Sequence, residues 1–151
     1  MKYSEYLSSA KRHDYTCSIL KDKLEEECLS ENSIEFSYLY LNLFYISGYI
    51  FECVIKYKIL EFSEHDELAD VDKNSCSNFD FNFKKDFRIH NLAKLLELLD
   101  VVSGGNGYSV NDSVIDLVNS WNPNVRYEDF TCSVNDVISF YMESKRILNR
   151  M

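Results

Sequence analysis

A chain of 151 residues and 17.8 kDa fits one domain of ordinary size, able to bury roughly two-thirds of its unfolded surface without covalent staples. Hydrophobic residues at 46% and aromatics at 15% exclude disorder as the main state, and four glycines with a single proline exclude a turn-rich all-β chain. Sixteen Lys and Arg against 25 Asp and Glu leave a formal charge of −9, which excludes a broadly basic nucleic-acid-coating surface. That balance leaves open a local RNA-binding patch, a basic partner, or a purely solubilising role.

The acid excess is concentrated: residues 61–80 hold one cation and seven carboxylates. Five cysteines (Cys17, Cys28, Cys53, Cys76, Cys132) form an odd set without C-x-x-C spacing, and no secretory apolar region follows Met1-Lys2-Tyr3-Ser4-Glu5. Reduced thiols and a cytoplasmic location are the expectation. The longest uncharged apolar run, Phe36 to Phe51, has 16 residues and contains Asn42. It falls short of the ~20 residues of a membrane helix, so it reads as a buried helix, and no membrane partner is expected.

In chain order, Ser4 to about Cys28 places Tyr3, Leu7, Ala10, Cys17, Leu20, Leu24 and Cys28 on one helical stripe that only Asp14 interrupts. Ser30-Glu31-Asn32-Ser33 supplies a turn and the next N-cap. The second helix, about Ile34 to Phe62, is apolar nearly all round and is expected at the centre of a bundle. Gly48 within it marks the close approach of another backbone.

Residues 63–86 read as an acidic and aromatic loop insertion, with His65 exposed and Phe79, Phe81 and Phe83 alternating as in a short extended piece. Its acids lack the order of a calcium loop, and no metal site is expected. A third helix runs from Phe87 or His90 to Val102 and stops at Gly104-Gly105-Asn106-Gly107. The fourth covers about Val110 to Ser120 behind a Ser109-x-x-Asp112 capping box. The last, about Val134 to Leu148, is capped by Ser133-x-x-Asp136 and buries Val134, Val137, Ile138, Tyr141 and Leu148. The expected fold is an all-α, single-domain, up-and-down bundle of about five helices spanning residues 1–151.

Tyr6-Leu7 with Ala10-Lys11-Arg12-His13, Gly48-Tyr49-Ile50-Phe51-Glu52-Cys53-Val54-Ile55-Lys56, His90-Asn91-Leu92 with Leu95-Leu96, and Trp121 with Arg126-Tyr127 follow one another in the order of a HEPN domain, which the chain resembles over nearly its whole length. The resemblance implies an all-α and usually dimeric protein of a prokaryotic toxin–antitoxin, phage-defence or nucleotidyltransferase-linked system. Many such proteins cut RNA without a metal, so a metal-independent endoribonuclease with no cofactor is the implied activity. The ribonuclease members carry Arg four to six residues before His. Here Arg12-His13 and Arg88-Ile89-His90 stand one and two apart, and position 92 is Leu where some toxins carry a modified Tyr.

Metal-free RNA cleavage needs a base near the 2′-hydroxyl and a cation for the phosphate. His90 and Arg88 at a helix start and Arg126 from a loop are the candidate catalytic residues, with Arg12-His13 able to converge on them. His13 alternatively reads as a surface or capping histidine, and His90 as an anchor of the loop before it. Glu52 and Lys56, four apart on the buried helix, form either a structural polar pair or half of an active cleft. Cys53 between them lacks the surroundings of a thiol nucleophile. Trp121 and Tyr127 offer base stacking or a turn anchor.

The implied partners are RNA, a second copy of the chain, and an antitoxin, nucleotidyltransferase or defence effector. Two rivals stand beside the RNA-directed effector. One is a noncatalytic interaction module that docks a nucleotidyltransferase or other effector through the apolar second helix and the acidic loop. The other is an acidic inhibitor or immunity-type protein that mimics nucleic acid.

Overall fold

Helix α1 (Ser4–Glu26) forms where the apolar stripe demands it, with Ala10 and Cys17 fully buried and Tyr3 and Leu24 nearly so. In the computed structural model, residues 1–26, 33–127 and 132–151 are described; Cys28 and Ser30-Glu31-Asn32 lie outside them. Asp14, the polar break in the stripe, accepts the Tyr141 hydroxyl at 2.8 Å and so ties α1 to the last helix.

Helix α2 (Ile34–Phe62) starts at Ser33, whose Oγ accepts the Phe36 N–H at 3.1 Å. Fourteen of its 29 residues are buried, as the all-round apolar pattern requires. By length and composition alone α2 suffices to cross a bilayer, yet it carries the buried charges Glu52 and Lys56 and is packed by its neighbours. Against α1 the contacts run Tyr3 to Tyr57, His13 to Tyr49 and Cys17 to Ser47, so the two helices are antiparallel.

Helix α3 (Leu92–Val102) begins two residues after His90, because the Asn91 side chain accepts the Lys94 N–H at 2.9 Å and fixes the start. Residues Phe83–Phe87 form a separate π-helical turn, and Phe79, Phe81 and Phe83 pack as rings rather than as a strand. Gly104 and Gly105 take φ of 63° and 83°, which glycine adopts without steric cost and which ends α3. His90 meets the middle of α2 while Val101 and Val102 lie beside Phe62 and Ser63, so α3 follows the direction of α2.

Helix α4 (Ile115–Ser120) is shorter than the sequence suggests and is preceded by the 3₁₀ turn Asp112–Val114. The Ser109-x-x-Asp112 box does not form. The Asn111 N–H instead donates to the Glu143 carboxylate at 2.8 Å, and the Ser109 carbonyl accepts from Arg146 at 3.0 Å. Helix α5 (Val134–Leu148) does have its expected cap, with the Asp136 N–H donating to Ser133 Oγ at 3.1 Å. Val137, Tyr141 and Leu148 are buried as expected, but Val134 and Ile138 are half-buried, and Phe140, Ser144 and Ile147 complete the core face instead. Phe140 packs on both Phe44 and Phe51 at 4.9 Å between ring centroids.

Two further expectations are corrected. His65 is buried inside the acidic segment, with Nδ1 at 2.8 Å from the Asp66 carbonyl and Nε2 at 3.0 Å from Ser75 Oγ. Around it, Tyr3 donates to Glu67, Lys2 donates to the Leu68 carbonyl and the Val71 N–H donates to the Met1 carbonyl, so the segment folds over the start of α1. The residue that approaches Gly48 is a side chain and not a backbone. A Cβ there would lie 1.9 Å from Trp121 Cε2, and the indole N–H donates to the Tyr45 carbonyl at 3.2 Å. The result is an all-α helical bundle in which α2 is the axis.

Gly48→Ala is therefore expected to destabilise the protein by about 1–3 kcal/mol through overpacking, despite the better helix propensity of Ala. Urea unfolding measures this, and the cost should vanish when Gly48→Ala is made in a Trp121→Leu background, which vacates the space.

Candidate functional site

A carboxylate on an apolar helix must find partners for both oxygens. Glu52 is 6% exposed and has them: Oε1 accepts from the Lys56 ammonium at 2.7 Å and Oε2 from His90 Nδ1–H at 2.9 Å. Lys56 comes from the next turn of α2, and its ammonium also lies 5.6 Å from the centre of the Phe87 ring. An ionised carboxylate only accepts, so His90 donates to it through Nδ1–H, and Nε2 is the ring nitrogen that faces away from Glu52. The His90 side chain is 56% exposed against 8% for Glu52, so the imidazole stands at the surface on a buried anchor.

One turn back on α2, Tyr49 is the centre of a second group. Its ring meets His13 at 5.8 Å, His90 at 6.4 Å and Trp121 at 5.2 Å. Its hydroxyl is 3.3 Å from that of Tyr45, which in turn accepts from Arg126 Nη1 at 3.0 Å. The Arg126 guanidinium lies 4.5 Å from the centre of the Tyr127 ring, and Tyr127 is 75% exposed. Thus α1 supplies His13, α2 supplies Glu52 and Tyr49, the approach to α3 supplies His90, and the 3₁₀ turn Pro123–Tyr127 supplies Arg126.

Electrostatics separates the two histidines. Burial, reinforced by the neighbouring Arg12 charge and only partly opposed by Glu52, holds His13 below its ordinary pKa of 6.5. His13 is therefore neutral at pH 7 and has a lone pair to offer. The Tyr49 phenol is pushed up by burial and by its Tyr45 contact, which keeps it protonated. Burial and the adjacent Glu52 charge push the Cys53 thiol up to about 12, so it is no thiolate.

Of the residues singled out in the sequence, Glu52, Lys56 and His90 form one hydrogen-bonded chain, and Arg126 joins the neighbouring Tyr49 group through Tyr45. Arg88 is exposed, its N–H caps the π-turn by donating to the Phe83 carbonyl at 2.8 Å, and its charge acts on Tyr6. Trp121, 2% exposed, sits in the core against Gly48, while Tyr127 stays at the surface under Arg126. Tyr45 and Tyr49 were not singled out for the site, although Tyr45, Tyr49, Glu52 and Lys56 recur at steps of four, three and four along one stripe of α2.

Among the described residues, no three His, Cys, Asp or Glu side chains cluster as metal ligands. The four cysteines described, Cys17, Cys53, Cys76 and Cys132, are free thiols. No family model, no curated protein and no solved structure matches this chain.

Glu52→Ala leaves the Lys56 ammonium buried without its carboxylate, a change expected to cost about 3–5 kcal/mol. Glu52→Gln keeps the shape and an acceptor and should cost clearly less. Thermal unfolding of the two variants checks the order, and an imidazole signal of His90 that shifts in Glu52→Gln by NMR reports the broken contact.

Proposed function

We propose that the protein is a HEPN-like, RNA-directed effector that cleaves a phosphodiester without a metal, using the side chains gathered around Tyr49. What carries this reading is the pairing of two imidazoles in different settings on one aromatic ring: a half-buried neutral His13 and an exposed His90 anchored by Glu52. In this scheme neutral His13 takes the proton of a ribose 2′-hydroxyl. The 2′-oxygen forms a bond to phosphorus as the bond from phosphorus to the 5′-oxygen breaks. Protonated His90, held by the Glu52 carboxylate, delivers its Nε2 proton to the departing 5′-oxygen, leaving a 2′,3′-cyclic phosphate and a 5′-hydroxyl. Arg126, held on Tyr45, and Arg12 beside His13 supply positive charge for the phosphorane oxygens. A homodimer and an antitoxin, nucleotidyltransferase or defence effector as companion belong to the same proposal and rest on the sequence resemblance, and a cytoplasmic setting rests on the odd cysteine set without C-x-x-C spacing.

One observation favours a second reading, a docking module for an effector protein. Leu68 is 80% exposed within the acidic segment that holds Glu64, Asp66, Glu67 and Asp70, an apolar contact ringed by charge.

Incubation of the purified protein with total RNA and defined tRNAs, with and without EDTA, tests the proposal. Cleavage should persist in EDTA and fall about 10²–10⁴-fold in His90→Ala, with the melting temperature of the variant retained. No cleavage by the folded protein overturns the ribonuclease reading in favour of the docking module.

The pH profile provides a separate check. Because His13 titrates below its unfolded value of 6.5, the folded protein binds fewer protons than the unfolded chain as the pH falls under that value. The stability contribution is whole above pH 6.5 and is lost as the pH drops through the lowered folded value. His13→Gln should flatten the acid-side decline in melting temperature and lower the cleavage rate at pH 7 by about 10²–10⁴-fold.

A further inference from the structure

The stretch from Lys73 to Arg88 reverses the charge of its surroundings, with four cations (Lys73, Lys84, Lys85, Arg88) against Asp80 and Asp86. None of these four cations pairs with a carboxylate among the described residues. Asp86 is engaged elsewhere, accepting the Asn82 N–H at 2.7 Å. Lys73, Lys84 and Lys85 line a groove of about 390 Å³ together with Phe81 and Phe83.

Those rings are held in place: Phe81 and Phe83 stack on buried Phe87 at 5.8 Å and 5.7 Å, with interplanar angles of 25° and 24°. Asn82 between them accepts the N–H groups of Lys84 and Lys85, both at 3.0 Å, which stiffens the turn that presents the lysines. Phe87, on which both rings stack, also carries the Lys56 ammonium over its ring, and Lys56 pairs with Glu52, the carboxylate that holds His90.

We propose that this groove binds single-stranded RNA, with phosphates on Lys73, Lys84 and Lys85 and a base against Phe81 or Phe83, and so guides the strand toward His90. The assignment rests on the RNA-directed reading of the Tyr49 group. Unpaired cations in a chain of net charge −9 call for an anionic ligand. An acidic peptide would be satisfied by the lysines alone, whereas fixed aromatic rings beside them match the alternation of phosphate and base along a single strand.

Fluorescence anisotropy with a labelled oligouridylate of about 12 nucleotides tests it, using the full chain carrying His90→Ala so that the probe stays intact. Lys73→Gln, Lys84→Gln and Lys85→Gln together should weaken binding at least tenfold and lower the slope of log K against log salt by about 2. Phe81→Leu should weaken binding about tenfold without changing that slope. Circular dichroism melting of each variant separates a lost contact from a lost fold. Unchanged RNA affinity in the folded triple variant overturns the groove, even if the wild-type protein cuts RNA. Equal competition by polyglutamate also overturns it and makes the groove a docking site for acidic protein. Groove-dependent RNA binding by a protein that cuts nothing keeps the groove and removes the ribonuclease reading.

Discussion

The rest of the structure depends on one buried carboxylate. Glu52 sits in the middle of the most apolar helix of the chain, where a lone charge would be strongly unfavourable. Lys56 answers it from the same helix, and the second oxygen is answered only if the chain brings His90 back across residues 63–91. The ion pair thus determines more than local geometry. It dictates where the approach to α3 must touch α2, and it places an exposed imidazole on a fixed anchor. Beyond any net stability over an apolar replacement, the registry it imposes is what sets His90 beside α2.

A second constraint operates one turn away. Gly48 opens a slot that only a side chain as large as an indole fills, and Trp121 occupies it while donating to the Tyr45 carbonyl. That contact carries the turn Pro123–Tyr127 onto α2 and brings Arg126 to Tyr45. Two long-range contacts, at residues 48 and 52, therefore bring the guanidinium and the imidazole to adjacent turns of the same helix. Tyr49 lies between them and meets His90 and Trp121 directly.

The helices were legible because their periods are strong: the stripe of α1, the all-round apolarity of α2 and the Ser33 and Ser133 caps survive in the structure. What was not legible had nonlocal causes. The Ser109 box had the right spacing, but Glu143, 32 residues beyond Asn111 on α5, captured the Asn111 N–H instead. His65 looked exposed because its neighbours are acidic, yet Ser75 and the Asp66 carbonyl give it polar partners that permit burial. In the candidate site, Glu52 and Lys56 were visible from their spacing, and His90 from its place before a helix. His13 was ambiguous, because a histidine three after Ala10 and four before Cys17 sits on the edge of a buried stripe, where burial and exposure look alike in one dimension.

The segment between α2 and α3 shows how a net charge can conceal a local one. Summed over the chain the balance is −9, which argues against nucleic acid, yet the charges are sorted along this segment and not mixed. The carboxylates of Glu67 and Asp70 face the start of α1, where Tyr3 and the Met1 amino group engage them, and Asp72 turns inward to the Asn74 and Ser75 N–H groups. These carboxylates are thereby committed to holding the segment in place, and Asp70 meets a cation in the Met1 amino group. Among the described residues the lysines that follow have no carboxylate partners, and they line the groove together. At physiological salt, screening confines each charge to about 8 Å, so a ligand at Lys84 responds to its immediate neighbours far more than to the global sum. A local cationic surface beside stacked phenylalanines is thus compatible with an acidic protein, and it is that local surface, not the global sum, that a ligand of the groove meets.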